Sequence, residues 1–355
     1  MPTHHHVSIT THIFLTGATG YIGGSVLSRL LSHPLSDTFR IATLVRDPAK
    51  ASQFRSMGIH AVVGSNSDLD ILKREAADAD LADADDMGAA KAILEGLKQR
   101  YQATGKVSSL VHTSGTGVLV DDARGMFATD TIYSDLNIPQ LQSLPDSQPH
   151  RLVDLALVKA DSEGYVKTYI VLPSTIYGLA SGPLVDAGLQ NSHSQQIPTL
   201  VTTSLDRGRA GMVGAGKNIW PNVHIDEVAD LYSLIISLIV GPRSGSKPRQ
   251  TSLHFEHGAA GFYFAENGEH TLHAVGVAIG RCMVALGLTA DAPPTSFTQE
   301  EERKYFPNGT GLGTNSRCRA DRARAIGWEP VMTTEDMLES VRDEFAGGDE
   351  GMGDE

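Results

Sequence analysis

The sequence predicts an α/β fold, a doubly wound parallel sheet followed by a smaller C-terminal substrate lobe. Short apolar runs alternate with helical stretches through the first half of the chain, and a glycine triplet sits at the first strand-to-helix junction. After residue 178, glycine, proline and serine break that pattern into short segments. At 355 residues the chain can bury a substantial core.

The elements follow in order. HIFLTG (12–17) reads as the first strand, YIGGSVLSRLLSH (21–33) as a helix and FRIATLVR (39–46) as the second strand. GIHAVVG (58–64), KVSSLVHTSG (106–115) and TYIVLPSTIYG (168–178) supply three more strands. Between them lie helices such as MGAAKAILEGLKQRYQ (87–102) and one around 150–167. A sheet of this kind also needs a buried fourth strand of about 4–8 apolar residues. The chain offers EAADADLADADDMGAA (75–90), where Leu81 is the only large apolar residue between Leu72 and Met87. Either the first and fifth strands close directly, or DLADADD is drawn in as a poor strand, or the fold is truncated; a weakened cofactor site is expected. The aspartates Asp78, Asp80, Asp83, Asp85 and Asp86 read as a solvated turn, because the glycine and distal glutamate of a calcium loop are missing.

These boundaries give a nucleotide-binding domain at 8–178 completed by 222–257, a substrate lobe at 179–221 and 258–342, and a disordered acidic tail at 343–355. The run LYSLIISLIV (231–240) is about half of what a bilayer span needs, and reads as a buried helix. A net charge of −13 argues against nucleic-acid or anionic-membrane partners and leaves a small-molecule substrate. Cys282 and Cys318 form no disulfide framework or metal spacing, and read as core thiols in a reducing compartment. The start of the chain lacks the pattern of a secretory signal, so a cytoplasmic protein is expected, with a homodimer left open. His4, His5 and His6 read as solvated, with no metal.

TGATGYIGG (16–24) sets Gly17, Gly20 and Gly23 in G-x-x-G-x-x-G spacing, with Thr19, Tyr21 and Ile22 among them. Glycines let the backbone turn sharply and let a pyrophosphate approach the free N–H groups of the following helix. The second strand ends in LVRDPAK, where Arg46 and Lys50 suit the 2′-phosphate of NADP better than the ribose hydroxyls of NAD. Asp47 argues the other way, although its place before Pro48 suits a helix cap.

With TGATGYIG (16–23), RDPAK (46–50), VHTSG (111–115), KADSE (159–163), VLPSTIYG (171–178), WPNVHIDEVADLY (220–232), NSR (315–317) and GWEP (327–330), the chain resembles the extended short-chain dehydrogenase/reductase family from about residue 10 to about 330. The resemblance implies a Rossmann fold, a nicotinamide cofactor and a tyrosine that donates a proton to a substrate carbonyl. It also implies a lysine four residues later, which holds the nicotinamide ribose, and a serine or threonine on the carbonyl oxygen. Lys159 matches the lysine, but Leu155 stands where the tyrosine belongs. Ser114 and Thr116 flank the expected hydroxyl position, and Tyr133 is the first replacement donor, its plainer reading being an ordinary loop aromatic. Tyr177 and His224 read as structural. A tyrosine installed at Leu155 is expected to meet Lys159 one helical turn away. The function this implies is an NADP-dependent oxidoreductase of a small carbonyl or hydroxyl compound, with secondary metabolism as one setting. The alternatives are a non-redox NADP-binding isomerase, cyclase or sensor, and a sugar-nucleotide epimerase or dehydratase.

Overall fold

The computed structural model describes residues 10–82, 86–241, 254–307 and 309–346. Five strands open the chain: β1 (Thr11–Leu15), β2 (Phe39–Val45), β3 (His60–Val63), β4 (Leu81–Ala82) and β5 (Ser108–Thr113). They are followed by β6 (Tyr133–Ser134), β7 (Val166–Pro173), β8 (Thr175–Tyr177), β9 (Gly211–Met212) and β10 (Ile219–His224). The last four are β11 (Phe262–Ala265), β12 (Glu269–Thr271), β13 (Thr295–Ser296) and β14 (Cys318–Arg319). Seven form one sheet in the order β11-β7-β5-β4-β1-β2-β3, with every pairing parallel. This is the doubly wound Rossmann arrangement.

The fourth strand is present, and it is short. Leu81 and Ala82 pair with Ile13 and Phe14 on one side and with Ser109 and Leu110 on the other. Asp80 lengthens the pairing by one residue: its N–H donates to His12 O (2.8 Å) and its carbonyl accepts from Ser109 N (2.9 Å). Its carboxylate accepts from His12 N at 3.0 Å and pairs with Arg100. Asp80, Leu81 and Ala82 are therefore drawn in through main-chain bonds, which need no apolar side chain. Residues 83–85, with Asp83 and Asp85, lie outside the described residues.

The main core holds Phe14, Leu27, Ile93, Leu110, Ile170 and Tyr263 among its buried residues. Here the expected boundaries need correction. β11 reads FYFA, is buried throughout and forms the sheet edge beside β7. Cys318, Ala320, Ala323, Ile326 and Trp328 also pack into the main core, so parts of 258–342 belong to the first domain. The substrate lobe has its own core, which includes Ile197, Leu200, Val275, Ile279, Phe297 and Met337. The first residues of the expected disordered tail are structured. Asp343–Phe345 forms a helical turn, Phe345 packs on the second core, and Glu344 reaches His193 at 3.0 Å. The rest of the tail, like His4, His5 and His6, lies outside the described residues.

The apolar run at 231–240 falls within the helix Ile225–Val240, whose Asp226 and Asp230 pair with Arg29 on the first helix, Tyr21–Leu31. Among the described residues no helix is long and apolar enough to cross a membrane.

Candidate active site

A cleft of about 670 Å3 runs along the C-terminal ends of the strands, from the glycine loop and Asn66 to Trp220 in β10. Carboxyl ends of parallel strands are where open α/β sheets bind ligands. At one end, Gly17 has φ 67°, a conformation that favours glycine. A Cβ on Gly23 would lie 2.2 Å from Gly17 O, so the loop packs against the helix more closely than any side chain would permit. Gly20 precedes the helix Tyr21–Leu31 without a side-chain cap, leaving its first N–H groups directed at the loop. Tyr21 closes the base: its hydroxyl donates to Gly178 O (2.5 Å) and Tyr177 O (3.1 Å). Burial first, then the nearby Glu344 and Asp226 carboxylates, push that phenol well above its ordinary pKa, so it stays protonated. Thr19 ties the loop to the lobe, its carbonyl accepting from Asn191 N at 2.9 Å. These features fit the pyrophosphate of a dinucleotide, with Gly17, Gly20, Tyr21, Ile22 and Gly23 lining the space and Thr19 bracing the loop behind them.

Arg46 lies just beyond β2, exposed and without a hydrogen bond or ion pair to any described residue. Lys50 follows on the first turn of the helix Pro48–Ser56, half-buried. Asp47 is occupied as that helix's cap, accepting from Ala49 N at 2.7 Å.

The middle of the cleft departs from the reading taken from the motifs. Lys159 is exposed and does not line the cleft. The helix Arg151–Ser162 buries Arg151, Asp154, Leu157 and Ala160. Leu155 is half-buried and Lys159 exposed, and at about 100° per residue both lie off the inward stripe of Asp154, Leu157 and Ala160. The Lys159 charge is felt instead at exposed Glu163, whose carboxyl is held below its usual range by Lys98 and, more weakly, by Lys159. We therefore expect Leu155→Tyr to create no reductase activity in a ketone panel; a clear gain would restore the motif reading. Tyr133 is also removed from the cleft. It lies in β6 beside Cys318 and packs against the main core.

Of the two hydroxyl candidates, Ser114 turns inward and donates to Asp154 Oδ2 at 3.1 Å. Thr116 lines the cleft and is fully buried, and its Oγ1 has no hydrogen-bond partner among the described residues. Its carbonyl accepts from Ser316 Oγ at 2.6 Å, which fixes the loop. The residue that sequence reasoning missed is His150. It lines the cleft next to the Gly115–Gly117 loop, and enclosure by the walls pushes its imidazole pKa below the ordinary value although solvent still reaches it. The available signal was its spacing of four from Asp154, which places the two on one helix face. Ser194, Gln195, Gln196 and Trp220 complete the substrate end.

Two residues expected to be structural are placed so. The Tyr177 hydroxyl donates to Thr333 O (2.9 Å). His224 caps the helix Ile225–Val240, its Nδ1 accepting from Asp226 N (3.2 Å), and packs edge-on against Tyr177. The NSR segment braces the lobe: Asn315 Nδ2 donates to Asp121 Oδ2 at 2.9 Å, and Arg317 Nη2 pairs with Glu269 at 2.9 Å.

A parallel seven-stranded sheet, a glycine-rich turn against its first helix and a cleft across the strand ends define a dinucleotide-binding enzyme fold. The chain is 32% identical over 338 residues to the oxidase UcsJ of an Acremonium species, covering 91% of this chain and 94% of that protein. Among solved structures it resembles the dTDP-glucose 4,6-dehydratase of Bacillus anthracis, in complex with NAD, with TM-score 0.63, 16% identity, and coverage of 96% and 98%. It likewise resembles the UDP-glucose 4-epimerase of Thermotoga maritima, with TM-score 0.61, 12% identity, and coverage of 95% and 99%. No protein-family model matches the chain. The chain thus belongs to one family with that oxidase, and it has the fold of these dehydratase and epimerase structures.

Proposed function

We propose that this protein is an NADP-dependent oxidoreductase of a small hydroxyl or carbonyl compound. The observation that carries the reading is the continuous cleft from the glycine loop to Thr116 and His150, with an arginine beyond β2 that no described residue pairs and the adjacent Asp47 carboxylate spent on a helix cap. When bound, the nicotinamide supplies two-electron redox chemistry. The chain's own part is to hold the pyrophosphate on the N–H groups after Gly20 and to offer Arg46 and Lys50 to a 2′-phosphate. The relative named as an oxidase supports a redox reaction over epimerisation.

The test is cofactor binding to the purified protein. Replacing Arg46 and Lys50 by serine should weaken NADPH binding by about 1.5–3 kcal/mol for each cation removed, while NADH binding stays nearly unchanged. Equal losses for both cofactors would reject the 2′-phosphate assignment. If NADPH binds but no alcohol or ketone changes the nicotinamide absorbance, a non-redox use of the same cleft becomes the better reading.

A further inference from the structure

His150 occupies the wall of the cleft in a conformation that its surroundings impose. Its φ is 63°, a left-handed backbone that residues other than glycine adopt at a cost and that recurs at functional sites. The imidazole sits over the two glycines that flank Thr116, since a Cβ on Gly115 or Gly117 would lie 3.1 or 3.5 Å from its Nε2. One helical turn on, Asp154 is fully buried, accepting from Ser114 and standing 3.7 Å from His112 Nε2. That carboxylate pins the start of the helix to β5 and so fixes where His150 stands. Beside it, the buried Thr116 hydroxyl lacks a partner among the described residues and so has a hydrogen bond to give to a ligand atom in the cleft.

We infer that His150 and Thr116 form the acid–base site of this enzyme: Thr116 Oγ1 donates to the oxygen of a neutral alcohol, and the imidazole of His150 takes that alcohol's proton as it is oxidised to the carbonyl. This rests on the cleft holding an oxidised nicotinamide dinucleotide. In the step, the O–H bond breaks and its electron pair becomes the second C–O bond. The carbinol hydrogen leaves with the C–H electron pair to reduce the nicotinamide, and the proton passes from His150 to solvent, to which it is exposed.

Direction and substrate class follow from the same surroundings. Enclosure and the adjacent helix N-terminus both disfavour imidazolium, which leaves a neutral base at pH 7 and favours oxidation of the alcohol. Among the described residues, the other ionisable groups lining the cleft are His193 and Tyr21; Arg151 follows His150 on its helix, and Asp154 and His112 face each other behind Ser114. None of the described residues lining the cleft is a lysine, arginine, aspartate or glutamate. A charged substrate would shed water there without a counter-charge, so an uncharged one is expected.

The experiment combines imidazole NMR with turnover on the full chain loaded with NADP+. The probes are cyclohexanol, cyclohexanone and UDP-glucose, and His150 is assigned by difference from His150→Gln. The His150 midpoint is expected below the usual histidine value and should move when cyclohexanone is added; cyclohexanol should be oxidised, more slowly as pH falls through that midpoint. His150→Gln should lower turnover by about 10²–10⁴-fold and flatten the pH profile. Thr116→Val should lower turnover by about 10²-fold. Both should bind NADP+ like the wild type. His150→Asn, which tolerates the left-handed backbone, should keep the wild-type melting temperature while losing turnover, an outcome a packing role would not give. Wild-type turnover in His150→Gln, or no response of His150 and no oxidation with the alcohol, overturns the inference. Tighter binding of UDP-glucose than of cyclohexanone overturns the uncharged substrate. Failure of the wild type to bind NADP+ would instead remove the cofactor reading on which the inference rests.

Discussion

Gly23→Val should abolish measurable NADPH binding and lower stability by about 1–3 kcal/mol, the usual range for forcing extra atoms into a packed site. A Cβ at this position would lie 2.2 Å from Gly17 O, 2.6 Å from Gly17 C and 3.3 Å from Ala18 N. All three are backbone atoms and none can rotate away. The loop must therefore move, and Gly17 is already at φ 67°, where only glycine fits easily. Displacing it by even an ångström takes the helix N–H groups off a pyrophosphate. Gly105→Ala is the control. That glycine also has positive φ, 69°, but a Cβ there meets nothing within 4 Å, so the variant should lose some stability and no cofactor affinity. Titration of NADPH fluorescence with melting curves for both variants checks this. Wild-type affinity in Gly23→Val would remove the glycine loop from the cofactor site.

The parts of this protein that were legible in the sequence are those whose signal is local. β1, the glycine turn and the first helix could be read because apolar runs, glycine spacing and helical periodicity all lie within about twenty residues. Asp47 could be read as a cap for the same reason. β4 was obscured because its pairing is carried by main-chain bonds through Asp80, and Asp80 is compensated by Arg100, twenty residues further along. β11 was assigned to the wrong domain because four apolar residues carry no label for the sheet they join; β7 decides that.

The middle of the cleft differs from the motif reading for another physical reason. A spacing of four puts Leu155 and Lys159 on one helix face, but spacing does not say which face meets the cleft. The burial of Arg151, Asp154, Leu157 and Ala160 sets that phase, and it comes from packing against the sheet. His150 was missed because its position depends on a left-handed residue before the helix and on the glycines of a loop more than thirty residues earlier. Both are tertiary facts. Thr116, by contrast, was within reach, because the end of β5 fixes the loop to within a residue or two.

Asp135→Ala should be the most destabilising single change outside the cleft, at several kcal/mol. This carboxylate is fully buried after β6; Oδ1 accepts from Arg322 N (2.7 Å), and Oδ2 accepts from Phe264 N (3.1 Å) and Ala323 N (3.4 Å). It thereby joins the edge strand β11 to the short helix Asp321–Ala325. Removing it strands three buried donors, at about 1–3 kcal/mol for each. The same site predicts a pH dependence. Burial pushes the carboxyl from 3.8 up to about 7, against the lowering effects of those N–H groups and of the Arg322 charge. Between those two values the folded chain keeps a proton that the unfolded chain releases. The group's contribution is therefore fully present in acid and is lost as pH rises toward 7. Asp135→Asn, which stays neutral throughout, should be less damaging than the alanine variant. Its stability gap to the wild type should change by a few kcal/mol across this window, moving in its favour as pH rises. Urea unfolding of the two proteins at several pH values between about 4 and 7 measures that gap. A gap that stays constant would mean that Asp135 is ionised in the fold throughout, with its three N–H donors outweighing burial.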